Sequence, residues 1–115
     1  MSKILIFRED QNKFDKSLVI SILSQITSVQ RVRTDNVVGC LIEADYEKNN
    51  EAIIIRLNSD GETLSLSHDG DLALEAVLEL NALIEEGLHM IDESYSYDID
   101  LDEIKTVKSL SLAMG

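Results

Sequence analysis

The sequence predicts an α+β protein, with an antiparallel sheet of four to six strands and two main helices packed on it, in the order β-α-β-β-β-α-β. Three observations carry this expectation. Residues 14–26 and 72–84 place apolar side chains at helical spacing. Short β-branched or alternating runs, separated by Asn, Asp and Gly, read as strands. Three such runs follow one another between the helices, as an antiparallel meander does. Packing both helices on one face of the sheet buries both apolar stripes. At 115 residues, 44% of them hydrophobic, residues 1–115 are expected to form a single domain.

Each element has its own signal. "KILIF" (3–7) is a strand, and its lack of alternation places it centrally in the sheet. "REDQNK" is a polar turn. Phe14, Leu18, Val19, Ile22, Leu23 and Ile26 then form the stripe of the first helix, with Asp15 near its positive N-terminal end. "SVQRVRTD" reads as a short edge strand with Arg31 and Arg33 on one face. "VVGCLIEADY" and "EAIIIRL" form a hairpin around Asn49 and Asn50. "NSDG" turns the chain into "ETLSLSH", where Leu64 and Leu66 oppose Ser65 and Ser67.

Asp71 is expected to cap the second helix. Its inner side carries Leu72, Val77, Leu80, Leu83 and Ile84, and its outer side Glu75, Glu79 and Glu86. Gly87 is expected at the C′ position. "LHMID" is a further strand, and "DESYSYDIDLDE" either continues it or forms the next. A last short helix runs through Ile104, Val107 and Leu110.

Charge separates the two halves of the chain. The first 56 residues hold eight acids and eight bases, whereas residues 57–104 hold 14 acids and neither Lys nor Arg. The net charge of −12 argues against direct binding to nucleic acid or to an anionic membrane, because phosphate affinity comes from Lys and Arg. It favours fast association with basic partners. The first ten residues hold an apolar run too short for a secretory or membrane segment. With the lone Cys40, expected as a buried inert thiol, they suit a cytoplasmic protein.

Enzymatic and metal chemistry find little footing. Asp98, Asp100 and Asp102 match the first three ligand positions of an EF-hand loop, but Glu103 stands where glycine is required and Ser109 where the bidentate glutamate belongs. His68 and His89 have no metal-ligand spacing, and a His68–Asp69 pair with one of many serines is weak ground for a nucleophile. No P-loop, dinucleotide fingerprint or CxxC motif is present. The expectation is a non-enzymatic protein with no catalytic residues, no bound metal and no cofactor.

In extended form "SYSYDIDLD" alternates, with Tyr95, Tyr97, Ile99 and Leu101 on one side and Ser96, Asp98, Asp100 and Asp102 on the other. The carboxylates then stand about 7 Å apart on one face, near the phosphate repeat of a nucleic-acid strand. Asp92, Glu93, Asp98, Asp100, Asp102 and Glu103 are the candidate partner-binding residues. A merely solvated face is the plain alternative.

The amphipathic acidic helix followed by "LHMIDESYSYDIDL" resembles the layout of small acidic immunity proteins of bacterial polymorphic toxin systems. The resemblance implies a non-enzymatic inhibitor that binds a cognate toxin, often a basic nuclease, and covers its basic surface. The alternative is a phage or mobile-element nucleic-acid mimic that inhibits a restriction or CRISPR complex with the same acids.

Overall fold

The computed structural model describes residues 3–10, 12–34, 39–68, 70–84 and 87–115. Along the chain run β1 (Ile4–Arg8), α1 (Lys16–Gln25), β2 (Val29–Arg33), β3 (Cys40–Lys48), β4 (Glu51–Asn58) and β5 (Thr63–Leu66). Then follow α2 (Asp71–Leu83), β6 (Leu88–Asp92), β7 (Asp98–Asp100), a 3-10 turn (Leu101–Glu103) and α3 (Val107–Ala113). The strands form one sheet in the order β2-β3-β4-β5-β1-β6-β7. Every neighbouring pair is antiparallel.

The α+β class and the central meander are as the sequence predicts. The described sheet has seven strands rather than four to six. The edge segment around Arg31 pairs with β3 as β2, with a register shift between Val29 and Arg31, and Asp98–Asp100 of the acidic stretch fold back as a separate strand beside β6.

Local chemistry sets the turns. The Asp15 carboxylate accepts from the N–H groups of Ser17 and Leu18 and so caps α1. Asn49 and Asn50 have φ of 55° and 66°, the paired left-handed conformation of a two-residue hairpin turn whose twist matches the strands. The second helix departs from expectation at both ends. Gly70 occupies its N-cap, and Asp71 is its first residue. The C-cap is Ile84, so Gly87 lies beyond the C′ position, at φ 87°, where it leads into β6. Val37, Val38, Asp69 and Glu86 fall outside the described residues.

Pairing register divides the sheet into two faces. Ile42, Ala44 and Tyr46 lie across from Leu57, Ile55 and Ile53, and Ile55 and Leu57 from Leu66 and Leu64. Leu66 and Leu64 in turn face Ile4 and Ile6, and Ile6 faces Met90. This inner face, with Val19, Ile22 and Leu23 of α1, the buried side of α2 and Leu110 of α3, forms the core. Leu18 and Leu83 were expected in the helical stripes but are 49% and 38% exposed. At about 100° per residue both lie a quarter turn or more from the middle of the buried arc. Asn81 ties α2 to the 3-10 turn by donating to the Leu101 carbonyl at 3.0 Å.

Candidate binding face

The other face of the sheet carries the alternate residues. One row across it reads Arg33, Glu43, Arg56, Ser65, Leu5, Ile91, Asp98. A second reads Thr63, Phe7, His89, Asp100. The described helices bury their apolar sides in the inner-face core, a cluster that contains none of these residues. The outer face therefore falls into three zones.

The first zone is a charged block on β2, β3 and β4. Arg33 donates from Nη2 to Glu43 at 2.7 Å and to Asp45 at 3.0 Å, while Arg56 reaches the other Glu43 oxygen at 2.8 Å. Arg31 donates to Asp45 at 3.2 Å. The Arg56 and Arg33 guanidiniums hold the Glu43 carboxyl below the usual carboxylate range, and Arg33 does the same for Asp45. The two arginines that stood together in the sequence are thus engaged by acids of β3. Cys40, at the start of β3, is buried, and burial pushes its thiol up.

The second zone is apolar. Leu5 and Phe7 are half-buried and Ile91 is 4% exposed, although none of the three belongs to the inner-face core cluster. A cavity of about 300 Å³ lies over the zone, lined by Leu5, Phe7, Glu62, Thr63, Ile91 and Tyr95.

The third zone is the acidic edge. Asp98 lies across from Ile91 and Asp100 across from His89, both on the outer face of β7. His89 Nδ1 and Asp98 share a hydrogen bond of 2.8 Å, and Glu9 stands 3.9 Å from Nε2. The Asp98 hydrogen bond raises the imidazole above its ordinary value against the opposing effect of burial, with further support from the charges of Asp100 and Glu9.

The six acids expected to form one binding face separate by role. Asp92 sits on the core side of β6 at 7% exposure and closes the next turn. Its carboxylate accepts from the Ser96 N–H at 2.8 Å and from the hydroxyls of Ser94 and Ser96, which hold it below the usual carboxylate range. Glu93 accepts from the Lys3 N–H at 3.1 Å. Asp100 accepts from the Asp102 N–H and caps the 3-10 turn. Asp102 accepts from the Gly87 N–H at 3.2 Å. Glu103 is exposed.

The strict alternation expected from Ser94 to Asp102 therefore breaks. Only Asp98–Asp100 is strand. Ile99 and Leu101 turn inward as expected, and Tyr97 packs partly against the core. Tyr95 is instead 73% exposed at φ 57°. The reason is the Asp92 carboxylate, which folds the following residues into a turn before the strand begins.

Sequence reasoning missed Leu5, Phe7, Ile91 and Tyr95 as a surface. The available signal was the unbroken apolar run of "KILIF", which needs cover on both faces of its strand.

His68 has a local partner. Ser67 Oγ lies 2.9 Å from His68 Nδ1 and accepts from the Ile54 N–H at 2.9 Å, pinning the end of β5 to β4. Among the described residues no three His, Cys, Asp or Glu side chains converge as metal ligands would. No described helix is long and apolar enough to cross a membrane. Comparison of the chain with protein-family models, with curated proteins and with solved structures gives no match.

Proposed function

We propose that this chain is a non-enzymatic binding protein that meets a basic protein partner with the outer face of its sheet. Among proteins of that kind, the reading favoured here is a bacterial immunity protein that neutralises a cognate toxin. The observation that carries it is the edge at β7. Asp98 and Asp100 stand on one face of a terminal strand, Glu9 faces the same His89, and apolar surface adjoins them. The arginines on this face, Arg31, Arg33 and Arg56, are already held by Glu43 and Asp45, so they do not offset the edge.

An acidic edge whose carboxylates outnumber its one local base, His89, steers a basic surface into register, and the apolar centre beside it then excludes water around the contact. The nucleic-acid mimic is the weaker reading. Its row of carboxylates shortens to two on this face, because Asp102 turns to the Gly87 N–H.

The test is affinity capture from the native host, followed by kinetics of the captured protein against the Asp98→Asn/Asp100→Asn double variant. Association should slow by about tenfold at low salt and lose much of its salt dependence. Co-expression of the captured protein with the wild-type chain should relieve growth inhibition. Equal association rates for wild type and variant across salt would refute the acidic-edge reading.

A further inference from the structure

We infer that the cavity bordered by Tyr95 is the anchor point of this face, and that it receives one lysine or arginine side chain of the basic partner. The inference rests on the binding reading above and names the contact that would fix the partner in place. At about 300 Å³ the cavity is at the small end of ligand pockets, suited to one long side chain rather than a cofactor.

Its lining matches a side chain with an aliphatic stem and a cationic tip. Leu5, Phe7 and Ile91 supply apolar wall for the stem. The ring of Tyr95 attracts a cation placed over it. Glu62 and Thr63 complete the lining with an acidic and a hydroxyl-bearing residue, and the acidic edge begins one strand beyond Ile91, at Asp98, which lies outside the cavity. Lys3 and Lys13 lie at the margins of this region without lining the cavity. A carboxylate or phosphate would meet Glu62 in the lining as a like charge. A second copy of the chain, itself at −12, would bring a second acidic surface against the first.

Tyr95 is held ready for such a contact. An aromatic residue at φ 57° carries backbone strain, which persists only where surrounding bonds enforce it. Those bonds are present: Asp92 accepts from Ser94 and Ser96 on the same turn, and the Tyr95 N–H donates to the Asp92 carbonyl at 3.2 Å. These bonds fix the backbone from which the exposed ring projects, which lowers the part of the entropy lost on binding that ordering the turn would cost. An aromatic and aliphatic centre with a charged rim is also where binding energy concentrates in protein interfaces.

The experiment is a titration of the full ¹⁵N-labelled chain, followed by NMR, with Nα-acetyl-arginine amide, Nα-acetyl-lysine amide and Nα-acetyl-norleucine amide. The expected result is saturable shifts at Leu5, Phe7, Thr63, Ile91 and Tyr95 with both cationic probes, and at least fivefold weaker binding of the norleucine probe. Tyr95→Ala and Glu62→Gln should each weaken the cationic probes threefold or more. Tyr95→Ala changes an exposed side chain and leaves the fold intact. Equal binding of the norleucine probe would overturn the inference. So would shifts at these residues that depend on protein concentration alone, which would make a second copy the occupant. Shifts confined to Asp98 and Asp100, and unchanged by Tyr95→Ala, would overturn the anchor while leaving the acidic edge in place. Failure of the edge itself is read separately, from the kinetics of the Asp98→Asn/Asp100→Asn variant.

Discussion

His89 joins the acidic edge to the apolar centre of the outer face. Its Nδ1 shares a 2.8 Å hydrogen bond with Asp98, and its ring stacks on Phe7 with centroids 5.5 Å apart and planes 25° apart. A group on the edge strand is thereby coupled to a residue that lines the cavity, through one imidazole.

This arrangement makes stability depend on pH with a definite sign. Asp98 first, then Asp100 and Glu9, raise the folded-state pKa of His89 above the ordinary value of about 6.5. Its contribution to stability is therefore complete below about pH 6.5 and fades as pH rises through the folded-state value. In Asp98→Asn the ring should titrate at lower pH by NMR, and that part of the pH dependence in urea unfolding should shrink. An unchanged ring titration in the variant would contradict the assignment.

Arg33 bridges Glu43 and Asp45, so its loss takes the main counter-charge from Asp45 and one of two from Glu43, which keeps Arg56. Both carboxyls are depressed in the folded protein, and their contribution is present above the unfolded values and lost as pH falls. Arg33→Ala should raise the titration of Asp45 and Glu43 toward ordinary values. The acid-unfolding midpoint should move to higher pH, and hydrogen exchange should speed up along β2, the edge strand that Arg33 fastens to β3. Exchange at β2 equal to wild type would show that backbone pairing alone holds the edge.

Strain at Tyr95 can be read by substitution. Glycine adopts a positive φ freely, whereas a β-branched residue does so at a cost of about 1–3 kcal/mol. Tyr95→Gly should match or exceed wild-type stability in urea, and Tyr95→Val should fall below Tyr95→Gly by roughly that amount and below wild type by less, because Tyr already carries part of the strain. Equal destabilisation by both would indicate that the ring, not the backbone, sets stability there.

The two faces of the sheet should respond differently to truncation. Ile6 is fully buried among Leu64, Met90 and the helices, so Ile6→Ala should cost about 2–5 kcal/mol. Ile91 is nearly as inaccessible but borders the open cavity, and Ile91→Ala should cost less, about 1–2 kcal/mol, because solvent can enter the space left behind. Equal losses in denaturant unfolding would mean that the outer face is packed like the core.

Much of the architecture was legible because its causes are local. The period of Val19, Ile22, Leu23 and Ile26 marks one side of a helix wherever that helix packs. Asn49 and Asn50 mark a hairpin by their own backbone preference, and Arg31 and Arg33 share a face by strand alternation. The site was only half legible. Asp98 and Asp100 do stand together on one face, but the sequence does not reveal which acids already have partners. Asp92 looks like any other acid of its run until Ser94 and Ser96 fold back onto it.

The sequence by itself determined the α+β class, the helices, the meander and the concentration of acid in the second half of the chain. Only the tertiary structure decided that Leu5 and Phe7 of β1, Thr63 of β5, Ile91 of β6 and the Tyr95 turn meet over one cavity. The physical reason is that periodicity and charge are properties of short segments. Which strands become neighbours, and which carboxylates are consumed by turns, depends on register between segments far apart in the chain.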